Sequence, residues 1–208
     1  MRITLIGMSG TGKSYWSKKL EQIGFVRFGC DDLITEYLAK KFGFAKPGDF
    51  DMHAWVGYPD EEAHAERAHQ YLQAEEAVLL NIINFLEQSD PEQNIVIDST
   101  GSIIFMKPEI IARLQKYTQF VYLDITSEDF GKMLSYYLSN PVAIIWNGFF
   151  LPQPDETRQK TFERCYPLLI ESREKKYQEL AQITIPSGVH KAQGTGLKEF
   201  LGYIDTHN

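Results

Sequence analysis

Residues 7–14 read Gly7-Met8-Ser9-Gly10-Thr11-Gly12-Lys13-Ser14, a complete G-x-x-x-x-G-K-S pattern. Nothing else in the chain constrains its fold as much. A loop of this kind needs a strand before it and a helix after it. The apolar run Ile3-Thr4-Leu5-Ile6 supplies the first, and the stretch from Tyr15 to Gln22 is compatible with the second. Backbone N–H groups at a helix N-terminus attract an anion. Gly7, Gly10 and Gly12 allow the backbone to wrap closely round a phosphate chain. Lys13 brings a mobile charge to the outer phosphates, and the Ser14 hydroxyl is placed to ligate magnesium. Gly10, Thr11, Gly12, Lys13, Ser14 and Tyr15 are therefore the expected contacts of a nucleoside triphosphate.

The rest of the chain alternates short apolar runs with longer helical patterns. Strands are predicted at Ile3–Ile6, Phe25–Phe28, Asn94–Asp98, Phe120–Asp124 and Ile183–Ile185. Helices are predicted near 14–22, 32–42, 61–88, 108–116, 127–138, 157–181 and 195–205. This alternation predicts an α/β fold of right-handed βαβ units around a parallel sheet. With 208 residues the chain suits a single domain, 1–208.

Two segments break the pattern. Gly43 to Asp60 holds Phe44, Phe50, Trp55 and Tyr58, and Ser139 to Glu156 holds Trp146, Phe149 and Phe150. Long connections of this kind are often binding loops or lids. Their aromatics would either cover a substrate or pack as local cores beneath the loops.

Composition narrows the partners. The net charge is −7, without a Lys/Arg cluster, which argues against a nucleic-acid surface but not against a local cationic pocket. The two cysteines, Cys30 and Cys165, imply no disulfide framework and no zinc site. No apolar run approaches the length of a membrane span, and the N-terminus runs straight into a strand without a signal peptide. A cytoplasmic enzyme, monomeric or weakly dimeric, fits these features.

Further chemistry-bearing residues lie at predicted strand ends. Ile95-Val96-Ile97-Asp98 ends in a carboxylate, and ligands of open parallel sheets sit at the carboxyl ends of strands. Asp98 is thus placed to hold a metal's water shell, or else to cap the following turn. Asp31 and Asp32 start the next helix, where one is expected to be its N-cap and the other, Asp31, to orient an attacking hydroxyl and accept its proton. Arg158, Lys160, Arg164 and Arg173 would clamp a transferring phosphoryl group or form a solvated helix face. His64 and His69 lack the spacing of a metal pair and read as surface residues.

Taken together, these patches resemble the shikimate kinases, within the nucleoside-monophosphate-kinase-like group of phosphate-loop kinases. Ile3–Ser14 resembles that family's opening strand and loop. Phe28-Gly29-Cys30-Asp31-Asp32-Leu33-Ile34-Thr35-Glu36 resembles its F-x-D-T-D-D-L-I-E segment. Val96-Ile97-Asp98-Ser99-Thr100-Gly101-Ser102 sits at its third strand and glycine triad, and Val121-Tyr122-Leu123-Asp124 at its fourth strand. Arg173-Glu174-Lys175-Lys176-Tyr177-Gln178-Glu179-Leu180-Ala181 resembles its R-x-x-x-Y-E-E-I-A segment, followed by Ile183-Thr184-Ile185 as the last strand. The resemblance implies a three-layer fold with sheet order 2-3-1-4-5, a substrate-binding insert at about 43–90 and a lid at about 139–160. It also implies ATP and Mg2+ as ligands, transfer of a phosphoryl group to a hydroxyl, and a substrate site formed by Asp31, Gly101 and Arg173.

The chain departs from that pattern at identifiable positions. Gly29 stands where the family has its first Asp, and Asp98 stands where it has a small residue. Only Gly101 of the glycine triad remains. Leu72 falls where a second substrate arginine belongs, and Asn140, before Pro141, where the lid arginine belongs. Arg158 or Arg164 would have to replace that lid cation. These changes point away from shikimate itself and toward another small hydroxyl-bearing acceptor. The rival readings are a nucleoside or nucleotide kinase, with Trp55, Tyr58 or Trp146 stacking a base, and an ATP-binding regulatory module without catalysis.

Overall fold

Strand burial follows the two-residue period of a pleated sheet. Ile3, Leu5, Val96, Val121 and Leu123 face one hydrophobic layer, while Ile6, Ile95, Ile97, Phe120 and Tyr122 face the other. Strands apolar on both faces are what a parallel sheet covered by helices requires. The computed structural model describes residues 1–139 and 144–207. Its strands are β1 (Arg2–Ile6), β2 (Val26–Gly29), β3 (Ile95–Asp98), β4 (Gln119–Leu123) and β5 (Ile183–Ile185). They form one parallel sheet in the order β2-β3-β1-β4-β5. The predicted order is therefore the observed one.

The helices are α1 (Lys13–Glu21), α2 (Cys30–Lys41), α3 (Met52–Val56), α4 (His64–Gln88), α5 (Pro108–Gln115), α6 (Ser127–Ser139), α7 (Arg158–Leu180), α8 (Ser187–His190) and α9 (Leu197–Thr206). One face of the sheet is covered by α1 and α9, whose Trp16 and Phe200 stack with centroids 4.1 Å apart. The other is covered by α2, α4, α5 and α7, through Ile34, Leu38, Leu79, Ile83, Ile110 and Leu169. Cys30 and Cys165 are free and buried, as small hydrophobes. Register sets the site. Asp98 pairs with Leu5 on one side and Gly29 on the other, so the carboxyl ends of β1, β2 and β3 meet at one edge.

Three local expectations are corrected. Neither Asp31 nor Asp32 caps α2. The helix starts at Cys30 with Gly29 as its N-cap and no side-chain cap. Both carboxylates lie in the first turn, where the helix dipole favours them. The long helix starts at His64 rather than 61, and His64 is not on the surface. It is buried, with Nδ1 3.1 Å from the Val56 carbonyl. His69 is exposed and contacts Gln73.

The aromatics of the two long segments pack chiefly on one another. Phe50 lies 5.7 Å from Phe42, 5.3 Å from Phe44 and 5.7 Å from Trp55, centroid to centroid. Trp146, Phe150 and Phe162 form a second cluster with Tyr137 and Tyr166, in which the Trp146 indole N–H donates to the Tyr137 hydroxyl at 3.1 Å. Asn140 and Pro141 lie outside the described residues.

Candidate functional site

The loop from Gly7 to Gly12 turns through conformations that only glycine adopts without strain. Gly7 has φ +142° and its absent Cβ would stand 3.0 Å from the Leu123 carbonyl oxygen; Gly12, the N-cap of α1, has φ +97°. This geometry presents backbone N–H groups at the start of α1, a ready anion site. Lys13 folds back over the loop. Its ammonium donates to the carbonyls of Gly7 and Met8, each at 2.9 Å. Burial lowers its pKa, while Asp98 and Asp31 oppose the shift. The loop carbonyls thus hold a charge that an anionic phosphate chain would bind more strongly.

Two cavities flank this loop. The first, about 290 Å³, is lined by Gly10, Gly12, Lys13, Ser14 and Tyr15 on the loop side. Across from them stand Asp31, His53, Tyr71, Gly101, Ser102 and Arg173. The second, about 330 Å³ and largely apolar, lies on the other side of Ser9–Thr11, against Ile125, Met133 and Tyr137, with Lys132 and Lys191 at its rim. Thr11 lines this second cavity, and its hydroxyl donates to the Met8 carbonyl at 3.0 Å.

In the first cavity, Asp31 opens from the first turn of α2. Although it is solvent-accessible at the cleft, the protein crowded around its carboxyl raises its pKa; Lys13 opposes this shift, Asp98 adds to it, and His53 opposes it. The Tyr71 hydroxyl donates to it at 3.4 Å. Arg173 comes from the middle of α7 and is buried, with Nη2 donating to the Ile145 carbonyl at 2.6 Å and Nη1 to the Gly101 carbonyl at 3.4 Å. Its Nε is buried and unpaired. A buried guanidinium N–H without an acceptor is costly, and the cavity it lines is the place an acceptor would enter. Gly101 is small because Arg173 is close: a Cβ there would stand 3.2 Å from Nη1.

Asp98 lies behind Lys13 at the end of β3. Its Oδ2 accepts from Ser17 at 3.1 Å and from Arg27 Nη2 at 3.0 Å. The Arg27–Asp98 ion pair is almost wholly buried. The Arg27 guanidinium also explains Gly29, because a Cβ at that position would meet Arg27 Nη2 at 2.7 Å. The position where the resembling family carries a carboxylate is filled here by a cation from two residues earlier.

The sequence-predicted residues therefore divide. Lys13, Ser14, Tyr15, Asp31, Gly101 and Arg173 share one cavity with Gly10 and Gly12. Asp98 adjoins it, tied to Arg27. Arg158 and Arg164 do not line it. Arg158 pairs with Asp60 at 2.6 Å and covers the Tyr58 ring, tying the loop before α4 to the start of α7. Arg164 pairs with Glu156 at 2.7 Å and caps the Leu151 carbonyl. Both side chains are engaged by local partners in this arrangement. Trp55, Tyr58 and Trp146 also stand off the cavity wall, and Leu72 faces an outer groove beside His69. Sequence reasoning missed Arg27, His53 and Tyr71. A positive charge inside a strand, and a Tyr and Glu four residues apart on the apolar stripe of α4, were the signals available.

A magnesium ion fits this donor set. Among the described residues no cluster of three or more His, Cys, Asp or Glu side chains is ready to cage a metal. One hydroxyl and one nearby carboxylate suit a hard cation that keeps its waters and is held mainly by substrate phosphates. Also among the described residues, no helix is long and apolar enough to cross a membrane.

No protein-family model matches the chain, and no curated protein matches it. Among solved structures it is similar to a shikimate kinase from Acinetobacter baumannii in complex with shikimate, at 18% identity and a TM-score of 0.54. That match covers 98% of this chain and 89% of the other. At this identity the similarity establishes a shared fold, that of the phosphate-loop kinases.

Proposed function

We propose that this protein is an ATP- and Mg2+-dependent kinase that transfers the γ-phosphoryl group to a hydroxyl of a small polar metabolite. The observation that carries this reading is that Lys13 and Asp31 face one cavity, with Arg173 on its far wall. A phosphate-binding cation, a proton acceptor and an anion-binding guanidinium around a volume suited to a small molecule would support such a transfer. Similarity to a shikimate kinase in complex with shikimate supports the same class of acceptor.

Catalysis of phosphoryl transfer rests mostly on positioning and charge neutralisation. The loop amides and Lys13 would hold the β- and γ-phosphates, and the apolar cavity beside Ser9–Thr11 has room for the base and ribose. Ser14, with Asp98 behind it, would hold magnesium, which neutralises charge on the phosphates. Asp31 would orient the acceptor hydroxyl and take its proton at the carboxylate, and its raised pKa suits that transfer. The Arg173 guanidinium would donate to an oxygen of the acceptor, with a carboxylate the strongest partner.

The test is Mg-ATP-dependent ADP release across a panel of polyols, hydroxy acids and nucleosides, with shikimate included. Stimulation by one acceptor, abolished in Lys13→Ala at unchanged fold, is the expected result. Tight ATP binding without turnover on any acceptor would favour a regulatory nucleotide-binding module instead, and the ion pair that occupies Asp98 would then be the first suspect.

A further inference from the structure

Glu75 lies in the middle of α4 and is fully buried beneath the acceptor cavity. Its Oε1 contacts the Thr100 hydroxyl closely, and its Oε2 lies 2.5 Å from the Ser102 hydroxyl. The two hydroxyl oxygens lie 2.9 Å from each other. Three oxygen–oxygen contacts therefore close a ring. Each hydroxyl has one proton to give, so an ionised Glu75 leaves one contact of the ring without a proton and sets two lone pairs against each other. The neighbours do not supply the missing proton. The Ser102 backbone N–H already donates to Thr100 Oγ1 at 3.1 Å. The Tyr71 hydroxyl, 3.4 Å from Asp31, also interacts with Thr100 and Ser102, but it would add a proton from outside the ring and cannot fill the contact between two ring members. A proton on the Glu75 carboxyl completes the ring, each member donating once around it.

We propose that Glu75 is a neutral carboxylic acid that locks Thr100 and Ser102 in a closed hydrogen-bond ring, and so acts as the positioning residue for the Thr100–Ser102 wall of the acceptor cavity. This rests on the reading of that cavity as the acceptor site. With all three protons spent inside the ring, the Ser102 oxygen meets the cavity with a lone pair only. That wall accepts a hydrogen bond, which selects a ligand hydroxyl or ammonium and disfavours an anion there. The anion-binding group, Arg173, adjoins that wall, its Nη1 3.4 Å from the Gly101 carbonyl.

The electrostatic surroundings agree. Burial raises the Glu75 pKa to about 7, with the two hydroxyls opposing, Asp31 adding and Arg173 opposing. Cys30 on α2, Tyr71 on α4 and Tyr177 on α7 are the other titratable groups that interact with it. A carboxyl with a raised folded pKa contributes stability that is fully present below its unfolded value of 4.5 and is lost as pH rises through about 7. Glu75→Gln keeps a donor and an acceptor in the ring but has no proton to lose.

The experiment needs no nucleotide or acceptor. Infrared difference spectra of the whole protein between pH 5 and 8.5 should show a protonated-carboxyl C=O band that Glu75→Gln removes and Ser102→Ala shifts. Across the same range the Tm of the unmodified protein should fall by roughly 5 °C relative to that of Glu75→Gln. A spectrum without such a band at pH 5, a band indifferent to both substitutions, or a Tm gap that does not change with pH would each overturn the proposal. If Glu75→Gln fails to fold, Ser102→Ala still decides the assignment, because a band from Asp31 would not respond to loss of a ring member. Failure of the ADP-release assay would leave these readouts standing, and their failure would leave phosphoryl transfer untouched.

Discussion

The phosphate loop and the acceptor cavity share Lys13 yet are built on different principles. The loop is local: a run of consecutive residues, a strand before it and a helix after it dictate its shape. The cavity is assembled from α2, α3, α4, α7 and the segment after β3, and its polar groups act in pairs that are remote in sequence. Glu75 meets Thr100 and Ser102, Arg27 meets Asp98, and Arg173 meets Ile145. A local motif tolerates substitution elsewhere, whereas a paired cavity changes only when both partners change.

That contrast can be broken experimentally, most forcefully at the loop. Lys13→Ala should lower ATP turnover by about a thousandfold, the loss typical of removing a preorganised transition-state donor. It should leave the Tm nearly unchanged, since the loop carbonyls it releases can reach water. Near-normal turnover would show that the loop is not the transfer site.

Beside the cavity the largest effect should be on stability. Arg27→Met strands the Asp98 carboxylate in a buried position and should cost about 3 kcal/mol in denaturant unfolding. The double variant Arg27→Met, Asp98→Asn should recover much of this, and a double variant no better than the single would show that the pair is not coupled. A smaller loss, about 1–2 kcal/mol, is expected for Gly29→Ala, whose methyl displaces the end of the Arg27 side chain. Smallest should be Arg158→Ala. That pair with Asp60 is half exposed, so its removal should cost less than about 1 kcal/mol and leave ADP release unchanged. A large loss of turnover there would restore Arg158 to the catalytic role that its position argues against.

Much of the fold was legible because it depends on periodicity. Five apolar runs alternate with helical patterns, and each strand lies within two residues of its expected span. The loop was legible because its chemistry is consecutive in sequence. Asp31 was found from its place at the start of a helix and Arg173 through resemblance to a known segment, and both line the cavity. The cap on α2 was misread because Gly29 is the N-cap and the chain enters the helix one residue earlier. His64 was misread because a polar letter on a helix says nothing of the Val56 carbonyl waiting beside it. Arg27, the part played by the Ser102 hydroxyl and the ring around Glu75 were invisible for a related reason. Their meaning lies in distances between elements, which no spacing along the chain encodes.

The contact between Arg27 and Gly29 also restricts which substitutions this site accepts. Introducing a carboxylate at 29 alone drives its Cβ into the guanidinium, 2.7 Å away. Removing the guanidinium alone abandons Asp98. Each single change is penalised, so position 29 and the Arg27–Asp98 pair are coupled, and a side chain at 29 is accommodated only together with a change at 27.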